Sequence, residues 1–134
     1  MPLLKTVLNK LKVLEGKTEN TGWKDLTLLT GWQNHSAGQN SPVYIKKNGV
    51  VYLHGCVLTN TGTASSSNRN IAQLPAGFRP SGIKNNLYFT ARTVSGAESI
   101  LSHIQITTTG IIMSPSNLKA SDWLALDGIS FPVE

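Results

Sequence analysis

A single cysteine in 134 residues, Cys56, rules out an internal disulfide, so the fold must be held by its core and its hydrogen bonds. Charge is scarce as well: 14% of the residues are Asp, Glu, Lys or Arg. Beyond Trp23 the only carboxylates are Asp25, Glu98, Asp122, Asp127 and Glu134. Glycoside hydrolysis needs two carboxyl groups a few ångströms apart. Asp127 is accounted for by a turn and Glu134 ends the sequence, so no pair stands out. No nucleophile elbow is present, and Cys56 has only His54 near it, two residues away on one strand face. His35, His54 and His103 share no metal-ligand spacing. The expectation is therefore a protein that is not an enzyme, with no cofactor and no metal within one chain. The net charge is +5, of which the segment before Asp25 carries +3 and the remainder +2. No basic patch with interleaved aromatics appears, which argues against a nucleic-acid partner. Long apolar runs are missing too. The opening "MPLLKTVLNKLKVLEG" is broken by Lys every few residues and predicts neither a secretory signal nor insertion in a membrane.

What is abundant is Ser, Thr, Asn and Gly, a polarity without charge that suits a β protein rich in turns. The opening is helical by pattern. Leu4, Val7, Leu11 and Leu14 occupy the a and d positions of two heptads, Leu8 widens the stripe, and Gly16 is a stop. Isolated helices shorter than about 12–15 residues seldom hold in water, so this one must pack on something. It packs either on its own domain or on copies of itself, and the narrow, regular stripe favours a self-associating bundle. The division expected is a helix over 1–16, a linker with the first strand over 17–31, and a β domain over 32–134.

From Trp23 onward the period becomes that of strands. "VYIKKNGVVYLHGCVL" holds two β-rich runs joined by Asn48-Gly49, which supplies the positive φ that a type I′ turn needs. "HIQITTTGIIMS" predicts a second hairpin around Thr109-Gly110, and "WLALDGISFPV" a third around Asp127-Gly128. With further strands over 26–29, 71–74 and 87–94 the count is eight or nine, as in a small antiparallel barrel or sandwich. "LPAGFRPS" is a stiff corner: Pro75 and Pro80 fix φ, Gly77 closes a turn, Leu74 and Phe78 pin it to the core, and Arg79 reads as a cap or an ion-pair partner in preference to a ligand contact. Residues 59–70 have no large apolar side chain and read as an exposed loop, either functional or mobile.

A saccharide site needs an aromatic face for the C–H side of a ring and a few oriented polar groups. Trp123 beside Asp122 offers both, although a core role for Trp123 is equally compatible with the sequence. Arg92 and His103 on strands, His54 facing outward with Tyr52, and Arg69, the one charge in the polar loop, complete the candidate set. Trp23 and Trp32 are expected to pack, sealing the barrel end.

The order "PVYIKKNGVVYLHG", "IAQLPAGFRPS", "LYFTARTVSG", "IQITTTGII", "WLALDGISFPVE" resembles the C-terminal head domains of tail-fibre and baseplate receptor-binding proteins from phages and prophages of Gram-positive bacteria. The likeness runs over about residues 32–134. It implies an all-β barrel head, a homotrimer bundled by the N-terminal helix, contacts with other tail or baseplate proteins, and recognition of a host cell-wall polysaccharide. It also implies a place in the virion after synthesis in the host cytoplasm. A structural or assembly cap without receptor binding is the alternative. The helix is shorter than the shoulders many such proteins carry, and no fixed saccharide motif is available to transfer.

Overall fold

The protein, described by a computed structural model, is characterised over residues 3–8, 19–35 and 40–133. Residues 3–8 form the helix α1, with Leu4 and Val7 exposed; Leu11 and Leu14 lie outside the described residues. Among the described residues eleven short strands follow: β1 (Lys24–Asp25), β2 (Trp32–Asn34), β3 (Val43–Lys47), β4 (Val50–His54), β5 (Cys56–Thr59), β6 (Asn70–Gln73), β7 (Leu87–Ser95), β8 (Glu98–Ile106), β9 (Ile111–Met113), β10 (Trp123–Ala125) and β11 (Ser130–Pro132). They make two antiparallel sheets, β1-β3-β4-β11 and β2-β5-β10-β7-β8-β9-β6. The all-β expectation holds, and no described helix is long and apolar enough to cross a membrane.

Alternation in sequence sets the faces. In β4, Val51 and Leu53 are buried while Tyr52 is exposed and His54 partly so, as the period of two requires. The buried partners are Val57 on β5, Ile71 on β6, Ile104 and Ile106 on β8, Ile112 on β9 and Leu124 on β10. Each such aliphatic side chain contributes about 1.5–3 kcal/mol on burial. Asn48 and Gly49, with φ of 54° and 77°, close the β3–β4 hairpin, and a turn through Gly110 joins β8 to β9. The longest hairpin, β7–β8 with nine pairs turning through Gly96 and Ala97, was not predicted as a hairpin.

The Asp127-Gly128 turn corrects the third hairpin expected. β10 pairs with β5 and β7, whereas β11 pairs with β4 in the other sheet. Turn chemistry fixes the local reversal but not which sheet the next strand joins. The segment 26–29 is also less regular than expected: Leu28 makes one isolated bridge to Ala72, and Leu29 N–H donates to Ile71 C=O at 2.8 Å. This segment ties the four-stranded sheet to the far edge of the seven-stranded one. The chain itself also crosses between the sheets, most abruptly where β4 runs through Gly55 into β5.

The stiff corner is where the sequence put it. Leu74 is fully buried, Phe78 meets the Tyr44 ring edge-on at 5.0 Å, and Arg79 Nε–H donates to Leu74 C=O at 2.8 Å. Arg79 is a backbone cap. The polar loop is exposed only in part. Thr63 is buried, its Oγ1–H donating to Pro115 C=O at 2.6 Å while accepting Leu118 N–H at 3.0 Å, and the exposed positions are 60, 61 and the run 64–67. Trp32 is buried and its Nε1–H donates to Asn68 C=O at 3.0 Å, so it packs as expected.

Gly55 carries φ of 106°, and a Cβ there would lie 2.3 Å from Ser41 O and 2.6 Å from Pro42 Cα. Gly55→Ala is expected to cost about 2–5 kcal/mol, strain and overlap with backbone adding together. Gly77→Ala, at φ 90° with open space around it, should cost about 1–2 kcal/mol from backbone strain alone. Urea midpoints of the two variants against the parent check the ordering.

Candidate functional site

The outer face of the seven-stranded sheet gathers residues from distant parts of the sequence. Trp123 on β10 pairs with Leu58 on one side and Val94 on the other, placing its half-buried ring outward while Leu124 points to the core. The Arg92 guanidinium sits over that ring, 5.5 Å from its centroid, and Arg92 Nε–H is fixed by donating to Ser99 Oγ at 2.7 Å. The His35 ring stacks obliquely on the same indole, centroids 4.7 Å apart. A cation over an exposed ring is worth about 0.5–1 kcal/mol and, here, also orders the indole. The result is an aromatic platform bordered by a charged donor and an imidazole.

His103, exposed and opposite Thr90, lies further along the same face, with its ring centroid 6.5 Å from that of Tyr88. His54 sits beyond Gly55 on the four-stranded sheet. Its Nδ1 is 2.6 Å from Asp127 Oδ1 and its Nε2 is 3.0 Å from Asn40 Nδ2. Asp122 and Arg69 serve the backbone. Asp122 is buried, its Oδ2 accepting Lys119 N–H at 2.8 Å; Arg69 Nε–H donates to Ser114 C=O at 3.0 Å. Of the six residues singled out by sequence, Trp123 and Arg92 come into contact, His103 shares their face, His54 lies apart, and two are structural. His35 was missed as a partner of Trp123 because nothing local in the sequence relates them. Trp23, expected to pack, is instead exposed.

No family model matches the chain, and no curated protein matches it. Solved structures do. The receptor-binding protein gp15 of Listeria phage PSA superposes with a TM-score of 0.68 over 99% of this chain and 76% of its own, at 19% identity. The head domain of the lactococcal phage bIL170 superposes with a TM-score of 0.58 over 84% of this chain and 97% of its own, at 16% identity. The chain has the fold of a phage receptor-binding head. In this fold the Trp123 platform and the His54 cluster lie on the outer surfaces of the two sheets.

Cys56 stands between the two clusters and behaves unlike a nucleophile. Burial pushes its thiol pKa above the ordinary value and the Asp127 carboxylate adds to the rise, with Arg92 opposing it. A reactive thiolate needs the reverse. Among the described residues no three His, Cys, Asp or Glu side chains gather as a metal cluster would.

Because the folded thiol titrates above the unfolded one, its contribution to stability is complete below the unfolded thiol pKa and is lost as pH rises through it toward the folded value. Cys56→Ala is therefore expected to flatten the fall of the urea midpoint above about pH 8.5, whatever it does to the midpoint at neutral pH. Paired denaturation series against pH measure the slope.

Proposed function

We propose that this chain is a phage adhesin: a non-enzymatic receptor-binding head that works as a homotrimer at the tail tip or baseplate and recognises a saccharide of the host cell wall. The observation that carries this reading is the Trp123 platform. A ring held by Arg92 and His35 on an outer sheet face presents both an apolar surface for sugar C–H groups and donors at its border. Its likeness in fold to two phage receptor-binding proteins supports the same role. Association of copies is supported by apolar surface that a lone chain leaves exposed. On α1 these are Leu4 and Val7; on the outer face of the β7–β8 hairpin they are Tyr88 and Leu101, 66% and 78% exposed. A trimer converts three weak sites into one strong attachment, since the second and third contacts form at high effective concentration.

Light scattering after size exclusion is expected to give a mass near three times 14.4 kDa across a range of concentrations. A monomer at every concentration would remove the trimer. Trp123→Ala is expected to keep the fold and the mass while weakening each site by several-fold, roughly the worth of one aromatic contact, with a larger loss in whole-cell binding through avidity. Binding of labelled protein to Gram-positive cells and purified walls checks this. A trimer that binds no host surface would favour the assembly-cap alternative, and turnover of wall polysaccharide would overturn the non-enzymatic reading.

A further inference from the structure

The outer face of the four-stranded sheet holds a second constellation that the Trp123 platform does not use. Cross-strand register places Ile45 opposite Tyr52 and Tyr52 opposite Ser130, with Val43 opposite His54 in the next row. Trp23, two residues before Asp25, which is opposite Val43, falls on this same face at the sheet edge. Together they bound an open cleft of about 930 Å³. Trp23 is 57% exposed and Tyr52 43% exposed. These two large rings, on either side of Ile45, lie outside the hydrophobic core.

The polar end of the cleft is built to hold its shape. The distances suit His54 Nδ1–H donating to Asp127 Oδ1, while Nε2 accepts from Asn40 Nδ2. Asp127 Oδ1 accepts Gly55 N–H as well, at 2.8 Å, which fixes the carboxylate on the backbone. Both ring nitrogens of His54 are thus engaged, and the imidazole is a positioned wall of the cleft. The Asp127 side chain is half exposed and, as a carboxylate, has further acceptor capacity.

We infer that this cleft is a second saccharide subsite, one that takes a neutral sugar unit between Trp23 and Tyr52 with its hydroxyls directed at Ser130 and at the end where the Asp127 carboxylate backs His54. The inference rests on the adhesin reading above. The ligand class follows from the balance of groups. Two aromatic rings flanking an aliphatic floor suit a body with C–H faces, and the Ser130 hydroxyl, with the half-exposed Asp127 carboxylate behind His54, suits polar edges. Lys47 is the one lysine lining the cleft, and the Asp127 carboxylate stands behind His54 rather than in the lining, so no cation cluster exists to select a phosphate. A second copy of the chain is a poorer occupant, because an apolar partner surface would desolvate the His54–Asp127 pair, whereas Tyr88 and Leu101 offer a surface without one.

The three indole N–H signals of the 15N-labelled full chain test this separately from the adhesin reading. Trp23 reports the cleft, Trp123 the platform, and Trp32, buried and bonded to Asn68, serves as the internal control. The probes are glucose, N-acetylglucosamine and rhamnose, with inorganic phosphate for comparison. At least one sugar is expected to shift the Trp23 signal in a saturable way while phosphate and the Trp32 signal show nothing. Tyr52→Ala should weaken that shift by about tenfold, the equivalent of one strong aromatic contact, and Trp123→Ala should leave it in place. Movement of Trp123 alone would overturn the subsite and leave the adhesin standing. Movement of Trp23 with phosphate only, or with no probe, would overturn the subsite. So would a Trp23→Ala or Tyr52→Ala variant whose mass in solution falls, since that result makes the cleft a contact between copies; cell binding by the parent protein decides the adhesin reading independently.

Discussion

The passage of the chain through Gly55 is the constraint on which both sheets depend. β4 and β5 are consecutive, yet they lie in different sheets, so the strand must bend without losing its alternation. It does so at a residue with positive φ, where the backbone of residues 41 and 42 comes closer than any Cβ allows. The polar groups of the bend are then satisfied from two places, residues 126–127 and Asn40. Leu126 N–H donates to Gly55 C=O, the Asp127 carboxylate accepts Gly55 N–H, and Cys56 N–H donates to Asn40 C=O. Glycine here answers a steric and a hydrogen-bonding demand together, which a turn glycine such as Gly77 does not face.

The molecule relies on few charges, and its interior polarity is carried by hydroxyls and one carboxylate. Thr59, Thr63, Thr93, Ser114 and Asp122 are buried, and among the described residues no buried side-chain nitrogen or oxygen lacks a partner. Each buried hydroxyl left unpaired would cost about 1–3 kcal/mol, so these pairings fix loop conformations that hydrophobic contacts alone would leave open. The aromatic residues divide accordingly. Trp32 and Phe131 serve the core, while Trp23, Tyr52, Tyr88 and Trp123 contribute surface.

Legibility in the sequence followed the range of the interaction. The β3–β4 and β8–β9 hairpins were visible because turn residues with positive φ sit between alternating strands, and the corner at residues 74–81 because prolines act locally. The inward and outward faces of β4 were visible for the same reason. The Asp127 carboxylate was read as a turn residue and no more, since its service to His54 and Gly55 crosses more than seventy positions. His35 beside Trp123 was invisible on the same ground. Trp23 was misassigned to packing because its exposure follows from lying on the outer side of an edge strand, and pattern alone does not say which edge.

The loop between β5 and β6 has a consequence of another kind. Thr63 anchors one end through Pro115 and Leu118, and Asn68 and Arg69 anchor the other through Trp32 and Ser114, leaving the short stretch 64–67 projecting between two clamps. Such a stretch is insulated: residues exchanged there do not reach the core, and a peptide spliced there inherits a fixed entry and exit. The fold therefore contains a natural grafting point, where foreign sequence can be displayed while the surfaces on both sheets keep their geometry.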